Sequence, residues 1–384
     1  MKFLKKLLKF LIIFFGLLIV VLYITDTDYL IKAVRTIYMK GHTTAFLEDY
    51  KEFDNQTIEA SDKPQPWVNH KDYNSVQETD ILKKANQDWG TIAYVIIKND
   101  SIWYENYYDG FDENSKSNSF SMAKSYVSGL LGKAIMQGYI ESLDQPVCDF
   151  LPAFCDEKAA QMTVGDLSSM ASGTNWDEAY YSPLSITTRA YFDDDLAKVM
   201  NGLKVDDEPG QGFKYSSGDT QMLAMVIEKA TGKKLYDYFE ESFWKPLGSE
   251  NSTLWQVDSE DHDLVKAYCC IASNAKDFAR FGKLYKDHGK WNGEQILDSA
   301  FVAKSITPRF PKSPEYGYGW WMKDVNGKNF KMMRGHLGQY VIVQPEDNII
   351  IVRLGHQKSP DAGIGSFTND ISLYIEEAYN MLNK

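Results

Sequence analysis

The sequence predicts an α/β (α+β) fold in which both chain ends build one antiparallel sheet, flanked by helices, with a helical subdomain inserted between them. Three observations lead there. A β-branched run, TIAYVIIK (residues 91–98), meets Asn99-Asp100 and then SIWYENYY, the pattern of a hairpin. Helix- and loop-like sequence fills the middle of the chain. The last third returns to strand patterns at 316–322, 330–333, 340–344 and 349–354 before a closing helix near 371–382. Such a layering leaves a cleft between sheet and helices, where a site is expected.

Taken in order, the amino end is a different material from the rest. Lys2, Lys5, Lys6 and Lys9 precede an uncharged run from Phe10 to Thr25, which ends without a small-x-small cleavage site. Residues 1–25 therefore read as an uncleaved membrane anchor, with a cleaved signal peptide as the alternative. The lysines stay inside and the body faces outward, periplasmic or extracellular. Residues 26–85 read as a juxtamembrane stalk and lead-in, and residues 86–384 as the catalytic domain.

The net charge of the chain is −12, but the first 40 residues hold seven Lys/Arg and two Asp, leaving 34 basic and 51 acidic residues beyond them. So acidic a body repels nucleic acid. Nothing in the sequence calls for an obligate protein partner. The six His are scattered without a zinc spacing, so no metal is expected. Among four cysteines, Cys148 and Cys155 bracket a short Pro-containing loop that a disulfide could close, whereas adjacent Cys269 and Cys270 read as two buried thiols.

The helix predicted from Ser121 to about Gly138 begins with Ser121-Met122-Ala123-Lys124. A Ser hydroxyl needs a neighbour to take its proton, and a Lys three residues on lies on the same helical face. The same spacing occurs at Ser242-Lys245 and Ser273-Lys276, where it reads as surface residues. Position favours Ser121, which follows the hairpin and starts a helix, where developing negative charge is stabilised. Tyr215-Ser216-Ser217 follows the Gly210-Gln211-Gly212 turn, and a Tyr215 phenolate stabilised by Lys124 would serve as a base. Arg334-Gly335-His336-Leu337-Gly338-Gln339 lies between two strands, where the N–H of Gln339 would join that of Ser121 in holding an oxyanion. No Gly-x-Ser-x-Gly elbow is present, which excludes an α/β-hydrolase.

In this order the three pieces resemble Ser-x-x-Lys, Tyr-x-Asn and Lys-Thr-Gly of the serine β-lactamase and penicillin-binding protein superfamily. Supporting stretches are MTVGDLSSMASG (162–173), KYSSGDTQMLAMVIEKATGKKL (214–235), KPLG (245–248) and KDFARFGKLY (276–285). The resemblance spans roughly residues 85–384 and is strongest to the class C-related branch, in particular to 6-aminohexanoate-dimer hydrolases and related carboxylesterases. It implies a β-lactamase/transpeptidase-like fold, hydrolysis of an amide or ester through an acyl-enzyme on Ser121, and no cofactor. The expected substrate is a small molecule or peptide-like. His336 replaces the cationic Lys and Ser217 the Asn, which weakens the grip on a β-lactam carboxylate. Within Asn175-Trp176-Asp177-Glu178-Ala179-Tyr180, Tyr180 is the residue implied to contact the substrate amide, with Tyr181 as fallback. His336, Gly338, Ser217 and Gln339 complete the substrate and oxyanion set. Tyr268-Cys269-Cys270 stands where the family carries a Gly-rich segment and has no functional reading. A peptidoglycan-directed D-peptidase or esterase, or a non-catalytic binding or sensor protein, are the rival functions.

Overall fold

The computed structural model describes residues 2–361 and 366–384. Its largest sheet has seven strands, in the order Trp321–Val325, Lys328–Gly335, Gln339–Gln344, Ile349–Gly355, Thr91–Lys98, Ser101–Tyr107 and Val68–Asn69. All neighbours are antiparallel except the short last pair. The two chain ends meet where Thr91–Lys98 pairs with Ile349–Gly355, as the strand pattern predicted. Asn99 and Asp100 both take positive φ, 51° and 60°, the geometry of a tight hairpin turn.

These central strands are buried along nearly their whole length because helices cover both faces. Successive side chains point to opposite sides. Tyr94, Ile96 and Ile351 pack with Ile371 and Tyr374 of helix Asn369–Leu382. Val95, Val343 and Ile350 pack with Phe278 and Phe281 of helix Ala275–Lys286. That helix comes so close that a Cβ on Gly282 would stand 2.7 Å from Val341 Cγ1. Only glycine permits this approach.

One strand is shorter than its pattern. Residues 316–320 form a loop ahead of Trp321–Val325 because their carbonyls find other partners. Ser128 Oγ donates to Tyr318 O at 2.7 Å and Ser125 Oγ to Gly319 O at 2.6 Å, so the buried backbone is satisfied without a strand neighbour.

Helix Ala123–Met136 is buried on almost every side and packs against Ser217–Thr231. A second, four-stranded antiparallel sheet runs Asn55–Ile58, Thr253–Gln256, Ile271–Ser273, Ser117–Asn118. Its last strand feeds the 3₁₀ turn Phe120–Met122 that opens the central helix. Residues before 86 add to the packing. Asn55–Ile58 supplies an edge strand, and Tyr29, Ala33 and Ile37 cluster with Phe53 and Phe192. Helix Lys2–Ile24 buries none of its residues and is long and apolar enough to cross a membrane.

Cys148 and Cys155 are disulfide-bonded. Cys269 and Cys270 are also bonded to one another, which corrects the expectation of two buried thiols. The backbone accommodates the adjacent pair with Cys270 at φ 77°.

Candidate active site

The nucleophile candidate is positioned by both sheets. Ser119 N donates to Ile271 O at 2.7 Å, tying the turn to the four-stranded sheet. On the other side, a Cβ on Gly335 would stand 2.3 Å from Ser119 O, so glycine lets the seven-stranded sheet press against the same turn. Phe120, between them, takes φ 45°, a conformation costly for a bulky residue. Strain of this kind persists only where the surroundings impose it, and here it turns Ser121 toward a cavity.

Lys124 Nζ lies 3.0 Å from Ser121 Oγ and 2.9 Å from Tyr268 O. The lysine is buried, and desolvation lowers its pKa to about 8, with Glu178 pulling the other way. The Tyr268 carbonyl explains the stretch that had no functional reading. Tyr268-Cys269-Cys270 forms the back wall behind the lysine, and Trp255 Nε1 holds Cys269 O at 3.0 Å.

Tyr215 borders the same point, its ring centroid 5.1 Å from Lys124 Nζ and tilted against Trp321 at 5.5 Å. Burial and then Glu178 raise its pKa, with the Ser121 hydroxyl opposing. A phenolate is therefore disfavoured, contrary to the sequence reading. Of the two groups, Lys124 is the more readily deprotonated near neutrality.

Sequence reasoning passed over Glu178 as part of an aromatic stretch. Its carboxylate accepts from Ser217 N at 2.8 Å, Ser217 Oγ at 2.5 Å, Trp176 Nε1 at 2.6 Å and the Tyr180 hydroxyl. One half-buried carboxylate thus fixes the Tyr180 loop to the start of helix Ser217–Thr231. The available signal was its place between Trp176 and Tyr180 in a Trp-x-Glu-x-Tyr pattern.

His336 stacks on Tyr180 at 5.5 Å and meets Phe120 edge-on at 5.6 Å. Burial and the nearby Lys358 charge lower its pKa to about 4, so it is neutral. Its Nε2 has no hydrogen-bond partner among the described residues. Arg353, a second residue the sequence did not single out, locks this turn from behind. Its Nη1 donates to Leu337 O at 3.1 Å and Gly338 O at 2.9 Å, and its Nη2 to Trp89 O at 2.8 Å. Leu337 is held at φ 60° and Gly338 at φ 86°.

Ser121, Tyr180, Tyr181, Ser217 and His336 all line one cavity of about 410 Å³, together with Tyr268 and Cys269. Lys124 and Tyr215 stand behind its wall. Gly338 and Gln339 do not line it. The Gln339 side chain turns inward, its Nε2 donating to Gly355 O at 2.7 Å and its Oε1 accepting from Gly355 N at 3.1 Å. Among the described residues the lining holds no Asp, Glu, Lys or Arg.

The other two Ser-x-x-Lys pairs are not at the surface as expected. Ser242 and Ser273 are buried, and Lys245 and Lys276 turn instead to Glu240 and to Glu113 and Glu105. Neither lysine is desolvated beside its serine.

The chain is 22% identical over 304 residues to 6-aminohexanoate-dimer hydrolase of Paenarthrobacter ureafaciens, covering 73% of this chain and 76% of that one. It is 23% identical over 299 residues to teichoic acid D-alanine hydrolase of Staphylococcus aureus (strain NCTC 8325 / PS 47), covering 71% of each. A family VIII carboxylesterase structure superposes with a TM-score of 0.61 at 16% identity, covering 82% of this chain and 99% of that one, a likeness of fold. The Beta-lactamase family matches residues 79–369, most of the chain, and the chain belongs to that family.

Proposed function

We propose that this protein is a serine hydrolase that cleaves an amide or ester bond through an acyl-enzyme on Ser121. The observation that carries this reading is a desolvated lysine, with its pKa lowered to about 8, placed 3.0 Å from the Ser121 hydroxyl. Neutral Lys124 takes the Ser121 proton as Oγ attacks the carbonyl carbon. The Ser121 N–H, on the cavity wall, receives the oxyanion, and the second donor expected at Gln339 lies off that wall. Tyr215, kept as the phenol, relays the proton to the departing nitrogen or oxygen, and water then hydrolyses the acyl-enzyme. Tyr180, Ser217 and His336 shape the substrate side, while Gly338, expected there, instead lets Arg353 brace the turn from behind.

The neutral cavity argues against a substrate recognised by its carboxylate, as a β-lactam or a D-alanyl-terminated peptide would be. The relatives' substrates, an aminohexanoate dimer and D-alanylated teichoic acid, support amide or ester cleavage in general. In this reading residues 1–25 anchor the chain in a membrane, 26–85 lead into the domain, and 86–384 form the hydrolase outside the cytoplasm.

A fluorophosphonate probe tests the assignment directly. Wild-type protein is expected to be labelled and Ser121→Ala to remain unlabelled. Equal labelling of both proteins would remove Ser121 from the chemistry.

A further inference from the structure

The cavity that reaches Ser121 has a second wall, and it comes from the segment next to the apolar N-terminal helix. After helix Lys2–Ile24, four residues intervene before helix Tyr29–Thr36, whose Leu30, Ala33 and Val34 line the same cavity, as do Ile37 and Tyr38 just beyond it. Asp26, in the connection, is bonded to Arg189 and to Lys198, the latter at 2.9 Å. Those residues lie on helices Ile186–Phe192 and Leu196–Asn201, and Thr187, Tyr191 and Phe192 of the first line the cavity's opposite side. The end of the apolar helix therefore continues into one wall of the cavity and is ion-paired to the helices of the other.

The lips themselves are apolar. Val34 and Tyr38 on one side and Tyr181 on the other are exposed and line the cavity. Exposed apolar surface rimming a cavity marks a place where apolar matter enters. Here it lies within about fifteen residues of a helix able to span a bilayer, and a single spanning helix holds its flanking residues at the membrane surface.

Resting on the serine-hydrolase reading, we infer that the substrate is an amphiphilic ester or amide whose aliphatic acyl chain enters from the membrane surface and lies between helix Tyr29–Thr36 and the Tyr180–Phe192 segment. A volume of about 410 Å³ without ionised lining residues suits an aliphatic chain. The chain belongs on the acyl side of the scissile bond. As the Ser121 Oγ–carbonyl bond forms, the bond to the leaving nitrogen or oxygen breaks, and that group departs with the proton relayed from Ser121. What stays in the cavity is the acyl group, and the apolar walls hold it until water supplies hydroxide to the carbonyl and returns a proton to Ser121, releasing the free acid.

The test uses the full chain in detergent micelles with p-nitrophenyl acetate, butyrate and octanoate. Each methylene that enters the cavity is expected to raise kcat/KM by about fourfold until the cavity fills. Even with only three of the six added methylenes held, octanoate should exceed acetate by about 60-fold. Ala33→Phe, which fills the space between the walls, should lower the octanoate-to-acetate ratio at least about tenfold. Val34→Glu, at a half-exposed position that tolerates charge in the fold, should do the same. Equal or falling kcat/KM from acetate to octanoate, or a ratio unmoved by both variants, would overturn the acyl-chain site while leaving the hydrolase intact. Failure of the hydrolase reading looks different: no ester is turned over and Ser121 takes no fluorophosphonate.

Discussion

The two walls of the cavity are built on opposite principles. The inner wall, around Ser121, Lys124, Tyr215 and Glu178, is polar, tied by hydrogen bonds from Lys124 to Ser121 and from Ser217 to Glu178, and set against helices buried on nearly all sides. The outer wall, helix Tyr29–Thr36 and the Tyr180–Phe192 segment, is apolar, half-exposed and held by a small cluster and a clamp of surface ion pairs. Surface pairs of this kind contribute little each, whereas a buried network fails when one member is removed. In the proposed reading, chemistry belongs to the buried wall and selectivity to the half-exposed one.

That contrast can be broken most directly at the inner wall. Ser121→Ala should lower ester turnover by about 10⁴-fold or more with the fold intact, measured by kcat alongside circular dichroism. Lys124→Met should cost about 10³-fold, since among the described residues Lys124 is the amine beside the hydroxyl and Tyr215 is held as the phenol. Tyr215→Phe should cost about 10²-fold in kcat with little change in KM, and an unchanged kcat would place proton delivery elsewhere.

A pH profile sharpens the picture. Lys124 must lose its proton to act, so kcat/KM should rise with pH through about 8 and stand near a hundredth of its plateau at pH 6. Glu178 raises the lysine pKa, so Glu178→Gln should move that midpoint to lower pH. A midpoint that does not move would uncouple the two. At the outer wall, Ile31→Ser lies on the exposed face outside the cavity and should alter stability by less than about 0.5 kcal/mol, read by thermal melting.

Much of the sheet was legible because its strands announce themselves through β-branched runs, and the hairpin at Asn99-Asp100 through its turn residues. The pattern at 316–322 yields a strand only from Trp321, because Tyr318 and Gly319 find serine hydroxyls on a helix nearly two hundred residues earlier in the chain. A pattern of side chains carries no record of such a partner. The same limit applied to Cys269-Cys270, where local strain argued for thiols and the turned backbone at Cys270 allowed the bond.

By itself the sequence determined the hydrophobic periodicity that gives the layers, the apolar helix at the amino end, and the three motifs in order around Ser121. These are local features, readable from spacing alone. Tertiary structure decided which of three Ser-x-x-Lys pairs has a desolvated lysine, that Glu178 ties Tyr180 to Ser217, that Arg353 braces the His336 turn, and that residues just past the apolar helix wall the cavity. Burial, charge environment and contact between distant segments are properties of the packed chain, and the lowered pKa of Lys124 exists only there.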